Sequence, residues 1–402
     1  MDQQQRQVIE GRLDKLGRDA EKIATQLRRP GQIMARIALV GLGLTVPMAL
    51  LELMLSVAGP ILPGDYQTAA FTASSATSGL QNRPNAAGYK RTSEFSVHVR
   101  VNSKGLRGAE IDYPKPPGTF RTLVLGDSFM FALQVAEEDT FVTHLGNRLD
   151  QTAGVDTTFE TINGGADGWS TVNEYVWLTT EGYRYDPDLV VLMFYAGNDP
   201  GENADRVLAV APGGRVLPRE AEASSWQDVR LALSERSRLY NLLEFGVLAK
   251  MQSSPDALGS TKEQERVRDP GEDRKERGWD LSESLLSLVR DYCAERDIGL
   301  MVVGIPPLVK VTKDERDPSP LAEIGERLGV PTIDLLDQFR QGTPEQRDAL
   351  YFPKNQHWTE EGHEQAARIV AAELRLRGLV PGKSESASTA SSTSSPAATS
   401  GR

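Results

Sequence analysis

Residues 121–132 read RTLVLGDSFMFA, a short apolar run that stops at Gly126-Asp127-Ser128 and then turns apolar again. A serine hydroxyl at the end of a buried strand can attack an acyl carbon once an imidazole takes its proton. The same Asp-Ser pair is also an ordinary cap for the helix that follows, and the triplet by itself leaves both readings open. A general base near neutral pH is most often histidine, and the chain has four: His98, His144, His357 and His363. His98 lies just outside the first strand and His144 inside an amphipathic helix, where a structural role is expected. His357, in YFPKNQHWTEEGH, sits in a loop after the last strands and directly before a helix, where a base would face the strand ends. His357 and His363 with Glu360 and Glu361 lack the HExxH spacing and suggest no third distant ligand, so a metal site is not expected.

Two further turns carry polar groups suited to a developing oxyanion. Asn163-Gly164-Gly165-Ala166-Asp167-Gly168-Trp169-Ser170 follows a second apolar run, and its glycines permit close backbone approach. Ala196-Gly197-Asn198-Asp199 follows a third, where the Asn198 amide is a possible donor. Each of these is equally readable as a plain turn. The GxSxG elbow occurs nowhere, which excludes that way of presenting a serine.

The elements that must position these turns alternate along the chain. TLVL (122–125), FETI (159–162), LVVLMF (189–194), LMVVGI (300–305) and TIDL (332–335) read as buried parallel strands. Helical patterns fall at about 137–150, 170–182, 281–296, 318–328 and 360–378. This alternation predicts a three-layer α/β domain over residues 96–380 with a parallel sheet of about five strands. Its ligands should gather at the carboxyl ends of the strands. Residues 200–280 are polar, with a helix expected around 231–251, and read as a large insertion.

In this order, GDS, a glycine loop, GND and a late histidine resemble the SGNH/GDSL hydrolase family over residues 95–380. The lead-in NSKGLRGAEIDYPKPPGTFRTLVLGDSF and the segment YDPDLVVLMFYAGND are similar to the corresponding regions of membrane-anchored bacterial members. The resemblance implies a flavodoxin-like α/β/α sandwich and transfer of an acyl group from an ester to water or to another hydroxyl, with no cofactor. It casts Ser128 as nucleophile and His357 as base. The Ser128 and Gly168 N–H groups and the Asn198 side chain become the oxyanion donors, with Asp127 and Asp199 in support. Family members carry an Asp two or three positions before the histidine, where this chain has Asn355 and Lys354. The Asn355 amide oxygen is then expected to accept from the imidazole, although it supplies no charge to the imidazolium. Met130 and Ala132 stand where relatives often have Thr and Gly. His357-Trp358-Thr359 resembles the histidine block of polysaccharide O-acetylation proteins. The implied partner is an acylated small molecule or a cell-envelope polysaccharide. A fold that keeps only a binding or scaffold role, its chemistry lapsed at Asn355, is the alternative.

Composition agrees with a globular, exported domain. The 402 residues are 39% apolar with a formal charge of -11, so no basic footprint for nucleic acid is present. The single Cys293 cannot form an internal disulfide. Residues 33–62 are expected to form one transmembrane helix: the stretch from Ile37 to Leu62 has Glu52 as its only ionisable group, and Pro47 is tolerated within lipid. Arg18, Lys22, Arg28, Arg29 and Arg36 precede it, while residues 63–82 hold no Lys or Arg, which puts the N-terminus in the cytoplasm. A cleaved signal peptide is the rival reading, with Ser56-Val57-Ala58 as its small residues, but its polar lead is too long. Residues 1–32 read as a cytoplasmic amphipathic segment whose seam over 9–27 suits weak self-association. Residues 63–95 read as a linker, and 381–402 as a disordered Ser/Thr/Ala-rich tail.

Overall fold

The computed structural model describes residues 3–58, 71–75, 79–151, 157–211, 215–218, 233, 237–241, 270–313 and 319–382. A five-stranded parallel sheet organises the domain: β5 (Thr119–Gly126), β6 (Thr158–Gly165), β7 (Leu189–Tyr195), β10 (Gly299–Ile305) and β11 (Thr332–Asp334). Their order across the sheet is β6-β5-β7-β10-β11. The chain therefore moves outward from β5 in one direction and then reverses, and the reversal lies between β5 and β7. At such a point the connections diverge to opposite faces and leave a crevice beyond the strand ends.

The strands are apolar throughout because both faces are covered. Val124, Val191, Met193 and Val303 pack on one face against α3 (Phe141–Asp150) and α12 (Glu360–Leu376), through Phe141, Leu145, Ala366 and Val370. Leu123, Leu125, Val190, Leu192 and Val302 pack on the other, against α4 (Thr171–Thr180) and α7 (Pro270–Ala294), through Leu178, Leu286 and Val289. Alternate residues of one strand thus enter opposite cores, and each buried aliphatic side chain contributes about 1.5–3 kcal/mol. The three-layer α/β sandwich and its five strands are as the alternation predicts.

Helix α7 begins earlier than its apolar pattern suggests. Its first turns are charged, but Arg274 pairs with Asp205 at 2.5 Å and Trp279 packs on Phe194 with ring centroids 5.4 Å apart. Helix α5 (Asp199–Arg206) and a hairpin of β8 (Val207–Ala211) and β9 (Arg215–Pro218) therefore join the domain. Most of the helix expected at 231–251 lies outside the described residues, as does the tail beyond 382; Arg238–Asn241 is helical (α6).

Residues 71–95 differ from the linker expected of them. Hairpins β1 (Thr72–Ser75) with β2 (Gly79–Asn82) and β3 (Ala87–Arg91) with β4 (Ser96–Arg100) cover the strand ends. Trp169 Nε1 donates to the Leu80 carbonyl at 2.7 Å and Asn82 Nδ2 to that of Gly165 at 2.8 Å. Val97, Val99 and Val101 also alternate toward the domain and pack with Phe71, Phe131 and Leu133. Ahead of them one helix, α1 (Gln3–Ala58), includes a stretch, Met34–Leu55, long and apolar enough to cross a membrane. Glu52 on it accepts from Ser237 Oγ at 2.8 Å and from the Leu239 N–H at 3.0 Å.

Candidate active site

Strand β5 ends at Gly126, and α2 (Ser128–Phe131) begins two residues later. Asp127 caps it: one carboxylate oxygen accepts from the Phe129 N–H at 2.9 Å, and the Asp127 carbonyl takes the Met130 and Phe131 N–H groups. The opening Ser128 N–H has no acceptor among the described residues. Asp127 thus caps the helix, while Ser128 keeps its hydroxyl free for another partner. The turn is held from below. Asn163 Nδ2 donates to the Met130 carbonyl at 2.8 Å, and a Cβ on Gly165 would stand 2.5 Å from the Met130 Cβ. Arg107, buried, donates to the carbonyls of Phe131, Ala132 and Val135. Ala132 ends the helix with φ +54°, a left-handed conformation that favours glycine.

The hydroxyl's partner is the late histidine. Ser128 Oγ lies 2.7 Å from His357 Nε2, across 229 positions of sequence. Phe129 stacks on the imidazole at 4.6 Å between centroids, which fixes the ring plane beside the serine. The loop is pinned by Trp358, fully buried among Phe129, Phe141 and Phe339. Burial is the largest influence on His357 and holds its pKa below the usual 6.5, so the ring is a neutral base at physiological pH.

His357 Nδ1 meets the main-chain carbonyl of Asn355 at 3.1 Å. The Asn355 Oδ1, expected to accept from the ring, is buried and makes no hydrogen bond among the described residues. An amide side chain reaching back to the ring would need the loop to turn differently. Here Gln356, with φ +63°, folds the chain so that the carbonyl of Asn355 faces it instead.

Asn198, in the loop after β7, brings its side chain to the same turn. Its Nδ2 donates to Asp127 at 3.2 Å, and an amide nitrogen has a second hydrogen to offer. Gly168, φ +74°, lies in the loop after β6, where Arg206 Nη2 holds its carbonyl at 2.9 Å. Asp199 accepts from the Tyr195 N–H at 2.9 Å and closes the β7 turn. Asp167, beside Gly168, acts electrostatically on both Asp127 and His357, so the four sequence blocks converge at the switch point.

Behind the serine lies a run of buried carboxyl groups. Asp127, Asp199 and Glu174 are excluded from solvent, and burial raises the pKa of each, that of Asp127 to about 7. Neither Glu174 oxygen has a hydrogen-bond partner among the described residues. His363 accepts the Phe141 N–H at 3.2 Å and is fully buried, and His98 stands on β4 against Tyr89. Neither belongs to the site. Asn163, Arg107 and Phe129 were not legible as site residues. Asn163 lies within a glycine-rich stretch in which the glycines carry the signal, and a lone Arg ahead of β5 carries none.

Comparison with known proteins adds the following. Residues 264–402 match the family described as the SGNH hydrolase-like domain of the acetyltransferase AlgX. No curated protein matches the chain. Among solved structures, a lipase/acylhydrolase from Enterococcus faecalis is 15% identical with a TM-score of 0.35, covering 64% of this chain and 97% of its own. A two-domain esterase active on acetylated mannans is 14% identical with a TM-score of 0.37, covering 71% of this chain and 54% of its own. An acetylxylan esterase, Axe2 from Geobacillus stearothermophilus, is 13% identical with a TM-score of 0.35, covering 63% and 94%.

Proposed function

We propose that this chain, which carries an SGNH hydrolase-like domain, is a serine esterase or O-acyltransferase acting on ester-linked acyl groups, with an acylated cell-envelope polysaccharide as its substrate class. The observation that carries the reading is the 2.7 Å contact between Ser128 Oγ and His357 Nε2 at the carboxyl ends of β5 and β7. Neutral His357 takes the Ser128 proton as Oγ attacks the ester carbonyl. The oxyanion forms within reach of the Ser128 and Gly168 N–H groups and of Asn198 Nδ2. Collapse expels the alcohol, which receives the proton from His357. Water, or a second sugar hydroxyl, then takes the acyl group from Ser128 by the same path in reverse. The matched family description, with its acetyltransferase, supports transfer beside hydrolysis.

The Met34–Leu55 stretch is read as an uncleaved anchor, N-terminus in the cytoplasm, with the domain on the outer side of the membrane. The bonds from Ser237 and Leu239 to Glu52 support retention, because they tie the helix to the rest of the chain. Release of acetate from an acetylated polysaccharide, with and without an unacetylated acceptor glycan, tests the function: loss in Ser128→Ala is expected, and full activity in that variant would refute it.

One observation favours the alternative of a catalytically impaired binding protein, namely the carbonyl rather than a carboxylate at His357 Nδ1. Tight binding of the polysaccharide with no acetate released would establish it.

A further inference from the structure

The place of the missing acid is not empty of charge. Glu94 lies in the turn between β3 and β4, far from His357 in sequence. One of its carboxylate oxygens accepts the Lys354 N–H at 2.9 Å and the other the Asn355 N–H at 2.8 Å. We propose that Glu94 is the positioning carboxylate of the histidine loop, supplied by the β3–β4 hairpin where the resemblance to the SGNH/GDSL family implies one within the loop. The proposal rests on the esterase reading above.

The geometry favours a dedicated clamp over an incidental surface contact. Two consecutive amides engage both oxygens of one anion, an arrangement in which charge strengthens each bond. The turn that presents Glu94 is itself fixed, because Thr92 Oγ1 accepts from the Glu94 and Phe95 N–H groups at 3.1 and 3.2 Å. Phe95 packs against Phe352 at 5.2 Å between centroids, and Lys354 Nζ reaches Ser93 Oγ at 3.4 Å. The hairpin tip therefore grips both ends of the segment before the histidine.

What is gripped matters to the chemistry. Glu94 holds the N–H of Asn355, and the carbonyl of that same residue receives His357 Nδ1. Rotation of residue 355 would swing the carbonyl away and release the ring to its other tautomer, in which Nε2 carries the hydrogen and cannot accept from Ser128. Glu94 touches neither the ring nor the substrate, so its effect passes through the backbone. The arrangement also accounts for an uncharged residue at 355, since an aspartate there would set a second carboxylate beside the first.

The test uses the full-length chain in detergent and a fluorophosphonate probe, with the maximal labelling rate and the probe concentration at half-maximal rate measured separately. Glu94→Gln keeps the shape but can accept only one of the two N–H groups; Glu94→Ala accepts neither. The maximal rate is expected to fall about 10-fold in Glu94→Gln and about 100-fold in Glu94→Ala, with the half-saturating concentration unchanged. Asn355→Asp should accelerate labelling more in the Glu94→Gln background than in the wild-type chain, a coupling that a merely structural role would not produce. A Glu94→Ala rate within twofold of wild type overturns the proposal. The imidazole nitrogen resonances of His357 give a readout that holds even if Ser128 proves unreactive and the esterase reading fails. A single Nδ1-protonated tautomer that becomes mixed in Glu94→Gln supports the proposal, and an unchanged tautomer overturns it.

Discussion

His357 Nδ1 lies 3.1 Å from the main-chain oxygen of Asn355, and the Asn355 side chain has no part in that bond. The role sequence reasoning gives to the amide oxygen therefore falls to the backbone. Replacing Asn355 by Ala removes no partner of the imidazole, so kcat should fall less than about 10-fold, the scale of one ordinary neutral hydrogen bond. Steady-state hydrolysis of a soluble aryl acetate measures it; a loss of several hundredfold would mean that the side chain carries the ring after all.

Asn198 has the opposite expectation. Its Nδ2 is already tied to Asp127 at 3.2 Å, so the amide is held in place and its second hydrogen is aimed by the same bond. Asn198→Ala should lower kcat by about 10²- to 10³-fold with little change in KM, the loss typical of one oxyanion donor. A change confined to KM would assign Asn198 to binding.

The pH dependence follows from His357. Burial, its largest influence, disfavours the imidazolium and lowers the folded pKa below the usual 6.5. The neutral ring is the active form, so kcat/KM rises with pH and reaches its plateau with a midpoint below 6.5. Stability follows in the same direction: the unfolded chain takes up this proton first, so the group's contribution is lost as pH falls through 6.5 toward the folded pKa. A midpoint above 7 would contradict the account.

The buried carboxyls act the other way. Burial is the main cause that raises Glu174 well above its ordinary 4.5, with Asp127 adding to it. The folded state keeps the proton that the unfolded state releases, so stability declines by about 1.4 kcal/mol per pH unit between the two pKa values. Glu174→Gln removes that cost. Its Tm should exceed wild type at pH 8, by about 2–4 °C for each kcal/mol, and the two should converge at pH 4. Equal curves at pH 8 would mean that Glu174 has a partner for its charge.

Much of the site was legible because its residues stand at strand ends. Ser128 and Asn198 follow β5 and β7, apolar runs that read as buried strands, and those runs set the depth at which each loop emerges. His357 was found by elimination among four histidines and by its place before α12. Glu94 and Asn163 were invisible for a common reason: both work through main-chain atoms, and a bond to a backbone amide or carbonyl leaves no constraint on the residue type opposite. The hairpin of β1 and β2 leaves little trace in the sequence because it is attached through single contacts such as Trp169 to Leu80, whereas Val97, Val99 and Val101 do alternate and pack with Phe71, Phe131 and Leu133.

The central claim is an activated serine. Intact-mass analysis of the full-length chain after fluorophosphonate treatment, beside Ser128→Ala and His357→Ala, addresses it most directly. The account predicts one adduct on the wild-type chain, mapped to Ser128, absent in Ser128→Ala and slowed by about 10³-fold or more in His357→Ala. A folded wild-type chain that takes no adduct, or one labelled equally fast without His357, would contradict it.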